Sequence, residues 1–234
     1  MCQILTDSHL HIADEGFPGT YGDYQSLQRA VSCTASVSDW DAQSGKSADN
    51  TVQCYGVHPW FCGEWNGDVA ERLRSILASD GRFHVGEIGL DAKKGDISEQ
   101  MPAFIAQLEI AKETGRVATI HITDSEKEVL DAVRRAGCKA VLHSFSAESY
   151  AKPFAEAGCF FSISPRILSR SDARIIRLLG SIPDDRLLLE SDAPHQGRNF
   201  TSMGEFASRI AGFKGVPPEE LLRTVADNFT RVFG

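Results

Sequence analysis

Short apolar, β-branched runs alternate along the chain with longer stretches of helical period, and that alternation predicts a parallel sheet with crossover helices. Eight strands are predicted, at 3–12, 30–37, 51–59, 82–91, 117–123, 139–146, 160–165 and 187–194. Helical patterns fall between them at 69–79, 98–114, 125–136, 149–157 and 171–179. In the second of these, Phe104, Ile105, Leu108 and Ala111 make one apolar face. Ser98 marks its start, and Ser125 with Glu128 three residues on reads as a capping box for the next. Gly115, Gly137 and Gly158 each stop a helix just before a strand. Pro217 and Pro218 open a last helix through Leu221, Leu222 and Val225 to Asn228-Phe229, expected to pack on the outside of the sheet.

Eight βα units in 234 residues imply an α/β fold, a single (β/α)8 TIM barrel over residues 1–234 whose working face is the C-terminal edge of the strands. An open doubly wound sheet is the alternative. The polar segment 38–50 is too short for a full helix and its loops, so the crossover after the second strand is expected to be shortened or distorted.

Composition narrows the setting. With 42% hydrophobic residues the chain can bury a sizeable core, and it carries no apolar run of membrane-spanning length and no basic-then-apolar start, so a cytoplasmic monomer with no membrane partner is expected. The cysteines are scattered without a CxxC pair and read as reduced, core-filling thiols. Twenty-four basic against 32 acidic residues leave a formal charge of −8, which argues against broad adhesion to nucleic acid but not against a nucleic-acid enzyme whose bound cations meet the phosphates.

The chemistry gathers at predicted strand ends. Asp7, His9 and His11 should share a face of the first strand. His58 follows the third, Glu87 lies on the fourth, His121 and His143 on the fifth and sixth, and Glu190 and Asp192 on the eighth. Six of the seven histidines sit near such ends, and His84 alone belongs to the opposite rim. Imidazole and carboxylate without thiolate suit Zn, Mn, Mg or a similar divalent ion. A Glu87 able to bridge, two histidines on the first strand, His121, His143 and Asp192 are enough ligands for two ions, which together activate a water for hydrolysis. Asp192 would bind through one oxygen and accept the proton of that water through the other. Asp7 and Glu190 are candidates to hydrogen-bond the ligands from behind. Trp40, Trp60, Phe61 and Trp65 are candidates to stack on bases or to pack loops. Lys93, Lys94, Arg166, Arg170 and Arg198 follow strands on the same rim, where they could guide a polyanion or stay solvated.

These segments resemble the TatD-type metal-dependent deoxyribonucleases of the amidohydrolase-like barrel group. The resemblance is carried by Asp7-Ser8-His9-Leu10-His11, Gly56-Val57-His58-Pro59, Gly86-Glu87-Ile88-Gly89-Leu90-Asp91, Ile120-His121, His143-Ser144-Phe145-Ser146, Glu190-Ser191-Asp192-Ala193-Pro194 and the ending Asn228-Phe229. It implies that His9, His11, Glu87 and Asp192 hold one ion and Glu87, His121 and His143 a second, with Glu87 and Asp192 as catalytic carboxylates and Asp192 the base. His58, His195, Arg198 and Asn199 become candidates for substrate contact. Thr123 stands where the family usually has Arg, and His195 where an aromatic residue is common. The expected activity is that of a divalent-metal phosphodiesterase on DNA. The rivals are an amidase, lactonase or deacylase on a small molecule and a non-catalytic, metal-stabilised partner subunit.

Overall fold

The computed structural model describes residues 4–17, 27–46, 49–195 and 202–234. Its strands are β1 (Thr6–Leu10), β2 (Arg29–Cys33), β3 (Thr51–Tyr55), β4 (His84–Asp91), β5 (Ala118–Thr123), β6 (Ala140–Leu142), β7 (Phe160–Ile163) and β8 (Leu187–Leu189). Each pairs in parallel with the next, in the order β1 to β8. The ring closes just past β8, where Ala193 bridges Leu10, the His11 N–H donates to the Ala193 carbonyl at 2.8 Å and the Asp192 N–H to the His9 carbonyl at 3.0 Å. This is the expected (β/α)8 barrel.

The described helices are α1 (Asp39–Ser44), α2 (Gly67–Ser79), α3 (Ile97–Thr114), α4 (Glu126–Ala136), α5 (Ala151–Glu156), α6 (Asp172–Ser181), α7 (Met203–Lys214) and α8 (Pro218–Phe233). None is long and apolar enough to cross a membrane. The crossover after β2 is indeed short, and α1 holds its place through two buried side chains, Trp40 and Gln43. The Gln43 amide accepts from the Ser32 hydroxyl at 2.6 Å and donates to the Cys54 carbonyl at 2.9 Å, tying one helical turn to both β2 and β3.

Gly115 and Gly137 end α3 and α4 in the left-handed conformation, as their sequence positions predict. The helix starts differ. Asp96, not Ser98, caps α3, accepting from the Ser98 N–H at 2.8 Å. Ser125 precedes α4 without a capping bond, because its hydroxyl donates instead to the Leu90 carbonyl of β4 at 3.0 Å. The last helix also does more than cover the outside. Its Leu221, Leu222 and Val225 join the main core, while Phe229, Val232 and Phe233 form a second cluster with Val31, Cys33, Val52, Cys54, Val141 and Leu188 of the strands. The His84 ring, at the start of β4, lies 5.6 Å from that of Phe233, so the tip of this helix lies at the end of the barrel opposite the strand C-termini. Asn228 fixes the helix by donating to the Asp184 and Leu187 carbonyls at the entry to β8.

Two strands break their pairing where chemistry-bearing residues sit. The β1–β2 register shifts between Asp7 and Leu10, and the β4–β5 register between Val85 and Ile88, which spans Glu87.

Candidate metal centre

The side chains predicted from distant strands meet at the C-terminal rim. His9 Nε2 and His11 Nε2 are 3.1 Å apart, and Glu87 Oε2 lies 3.4 and 3.5 Å from them. Asp192 Oδ1 completes this group, 3.7 Å from His11 and 4.0 Å from His9. The other oxygen of Glu87, Oε1, faces a different set: His121 Nδ1 at 3.0 Å, His58 Nε2 at 3.5 Å and His143 Nε2 at 3.5 Å. His9, Glu87 and His143 also fall within one ligand-sized group, with the His9 and His143 rings stacked 4.0 Å apart.

Local structure aims the rings of His11, His143, His58 and His121. The His11 Nδ1–H donates to the Cys33 carbonyl at 3.0 Å, which leaves Nε2 toward the centre. His143 Nδ1 donates to Glu190 Oε1 at 2.9 Å, and the same oxygen accepts the Ser144 N–H at 2.8 Å. His58 opens a 3-10 turn (Pro59–Glu64) in which its Nδ1 accepts from the Trp60 N–H at 3.2 Å, so its Nε2 turns to Glu87. His121 Nε2 meets Asp91 Oδ2 at 3.3 Å and the Thr123 hydroxyl at 3.1 Å. Asp7 behaves differently from Glu190: its Oδ1 accepts the backbone N–H groups of His9 and Ser191, and no imidazole reaches it.

Burial and charge shape the protonation states. Burial by itself would raise both carboxylates, but the imidazoles of His143, His58 and His9 hold Glu87 well below the usual range, and His143, His11 and His9 do the same for Asp192. Burial works against a proton on His143 as well, yet Glu190, Glu87 and Asp192 push it up to about 10. Burial lowers His9 and takes His58 down to about 3, whereas on His11 the Asp192 and Glu87 carboxylates outweigh burial and raise it. Asp7 is pushed up to about 7 by burial.

The residues fit divalent cations. With His11 Nδ1 donating outward, neutral His11 offers a lone pair at Nε2, and His9 Nε2 lies 3.1 Å from it with the rings nearly perpendicular, a contact that takes one proton or one shared cation. Two carboxylates only 3% exposed, each ringed by imidazole nitrogens, are the oxygen and nitrogen donors such ions take. Metal uptake here would displace protons.

Around the centre, a cavity of about 370 Å³ is walled by His58, Trp60, Phe61, Arg166 and His195 among others. Trp60 and Phe61 are 53% and 39% exposed, and the Trp60 indole N–H donates to Asp91 Oδ2 at 2.7 Å. Trp40 is buried and donates to the Gly56 carbonyl, and Trp65 packs on the core, so of the four aromatic candidates two face the cavity. His195 stands on the rim, its ring 5.5 Å from that of His11. Arg198 and Asn199 lie outside the described residues.

Three contacts escaped the sequence. His58 joins the imidazoles around Glu87, Asp91 links His121 to Trp60, and Arg166 Nη2 pairs with Asp192 Oδ2 at 3.1 Å. The His-Pro step before an aromatic pair was the available signal for the first; the last has none in the sequence.

Known proteins share this framework. The family model described as TatD related DNase matches residues 6–234. An uncharacterized metal-dependent hydrolase, YcfH, of Escherichia coli (strain K12) is 31% identical over 199 residues, covering 79% of this chain and 74% of that protein. The 3'-5' ssDNA/RNA exonuclease TatD of Dickeya dadantii is 30% identical over 197 residues, covering 76% and 75%. The crystal structure of YJJV, a TatD homolog from Escherichia coli K12, superimposes with a TM-score of 0.86 at 20% identity over 100% of this chain and 99% of that one, a likeness of fold.

Proposed function

Since the chain belongs to the TatD-related DNase family of metal-dependent hydrolases, we propose that it is a phosphodiesterase acting on the ends of single-stranded nucleic acid with two divalent cations. The observation that carries this reading is the division of Glu87, whose Oε2 faces His9 and His11 while Oε1 faces His121, His58 and His143. In it, His9, His11, Glu87 and Asp192 would hold one cation, and Glu87, His121 and His143 the other, with His58 as a further donor. When bound, the cations supply Lewis acidity to the phosphoryl oxygens and to the attacking water.

The chain's own groups do the rest. Asp192, charged over the whole physiological range, accepts the proton of the attacking water at Oδ2, the oxygen that Arg166 now covers. Arg166 can turn from that oxygen to the substrate phosphate, freeing the base as it neutralises the anion. The Glu190–His143 and Asp91–His121 contacts keep the rings from rotating. Trp60 and Phe61 offer apolar faces at the cavity mouth to an unpaired base, and the depth of the carboxylates within a 370 Å³ cavity favours a strand end over an internal linkage of a duplex. The family name of the DNases and the exonuclease relative support nucleic acid as substrate.

The test is to strip the protein, reload it with manganese, zinc or magnesium, and follow end-labelled single-stranded DNA beside a panel of esters and amides. Expected are stepwise release of nucleotides, two cations per chain by calorimetry, and loss of more than about a thousandfold in Asp192→Asn with the barrel's circular dichroism intact. Full activity of Asp192→Asn would remove the base assignment. Turnover of an amide or lactone with DNA untouched would replace the substrate class.

A further inference from the structure

A second cavity of about 330 Å³ opens next to the first, between the turns that follow β4, β5, β6 and β7. His121, His143 and Arg166 line both, so the two form one trough divided by those side chains. Beyond that divide, the second cavity's lining carries Lys93 and Arg170 and a row of hydroxyls that includes Thr123, Ser144, Ser146 and Ser164.

Several of its donors are held in place. Arg170 Nη1 donates to the Ser146 carbonyl at 3.0 Å, a neutral partner, and no carboxylate pairs with its guanidinium among the described residues. Lys93 pairs with Asp124 at 3.2 Å, but both side chains are more than 60% exposed, so the pair is screened and exchanges readily. The Ser144 and Ser164 hydroxyls are 2.7 Å apart and share one hydrogen bond, which leaves the second O–H of the pair for a ligand. Ser144 sits at φ 47°, fixed by its N–H on Glu190 Oε1, the same oxygen that orients His143. The hydroxyl pair is thereby built onto the support of the metal centre. Against the cations stand Asp124 and Glu126, which line the same cavity.

Cationic forks and hydroxyl donors in a cavity of this size suit a phosphate with part of its sugar, not an apolar group. We propose that this cavity seats the phosphate adjoining the scissile one, so that the protein grips two consecutive phosphates of a single strand. The inference rests on the phosphodiesterase reading above. Arg166 stands at the divide and reaches either phosphate. Substrates with one phosphate then fill half of the trough.

The experiment compares kcat/KM for a trinucleoside diphosphate and the matching dinucleoside monophosphate in the metal-loaded wild type, Arg170→Ala and Lys93→Ala. The wild type should prefer the longer substrate, and Arg170→Ala should shrink that preference about tenfold, chiefly through KM. The salt dependence of the longer substrate should also flatten, by about 0.7 in the log–log slope per lost contact. Lys93→Ala, on a different turn, should move the ratio the same way and guards against a folding defect in the other variant. Equal efficiency on both substrates in the wild type, or ratios unmoved in both variants while each substrate is still cut, overturns the second phosphate seat and leaves the phosphodiesterase reading standing. A proportional fall on both substrates assigns Arg170 a structural role and overturns the seat too. No cleavage of either by the wild type overturns both readings.

Discussion

At the scale of single residues, Glu190 shows how a buried group acts on the proposed metal centre without reaching it. It fixes His143 and Ser144 through one oxygen, and its other oxygen has no partner among the described residues. Glu190→Gln should keep a bond to the imidazole but lose the charge behind it, lowering metal affinity about 10- to 100-fold with the fold intact. Calorimetric titration with manganese checks this, and an affinity within twofold of the wild type would show that the charge does nothing. His58→Ala should weaken the cation on the Oε1 side of Glu87 more than the one at His9 and His11, so that two binding steps separate in the same titration. Much at this scale was legible in the sequence: the His-x-His step and the carboxylates at strand ends converge as expected. The approach of His58 to Glu87 was not, because it depends on the turn geometry that spends Nδ1 on the Trp60 N–H. Thr123 stands where the family usually has Arg, and the structure turns its hydroxyl onto His121 Nε2. Arg166 could not be matched to Asp192 from the sequence, since that pairing exists only once β7 lies beside β8.

At the scale of elements, eight strands were found in the predicted order, but β6 and β8 stop short of the predicted 146 and 194, so His143, Glu190 and Asp192 stand in the turns beyond them, and the other errors fell at helix starts and strand irregularities. Ser125 looked like a cap because spacing cannot show that a carbonyl of β4 competes for its hydroxyl. The close passage of β4 along β5 was invisible for a similar reason. Gly89 adopts φ 143°, and a Cβ there would collide with the His121 carbonyl of β5. Gly115, at φ 68°, has open space around a Cβ. The two glycines should therefore answer differently to alanine. Gly115→Ala costs about 1–2 kcal/mol for left-handed backbone alone, while Gly89→Ala adds a backbone clash and should cost more than about 3 kcal/mol. Denaturant unfolding of both variants decides it, and equal losses would mean that β4 and β5 can part without penalty.

For the whole molecule, the barrel's two ends respond to acid separately. His84, far from the metal centre, is drawn down to about 4 by burial, beside Phe233 and with its Nδ1 accepting the Val117 N–H. A histidine depressed in the folded state binds its proton more readily when unfolded, so it favours the fold fully above about pH 6.5 and loses that contribution as pH falls toward 4. The drop amounts to about 3 kcal/mol at most. His84→Asn keeps an acceptor for Val117, and the metal-free variant should lose less stability than the metal-free wild type between pH 7 and 5. Parallel pH profiles would remove His84 as the cause. The rim offers a different lesson. His9 comes from the first strand, His11 from just past it and Asp192 from just past the last, on either side of the join made by the Leu10–Ala193 bridge. A cation gripping all three works as a clasp on a bracelet: at a hundredfold excess over its dissociation constant it adds about 2.7 kcal/mol against opening. Remove it with a chelator, and the ring should come undone first at that fastening, with amide exchange at His11 and Asp192 quickening well ahead of the links on the far side.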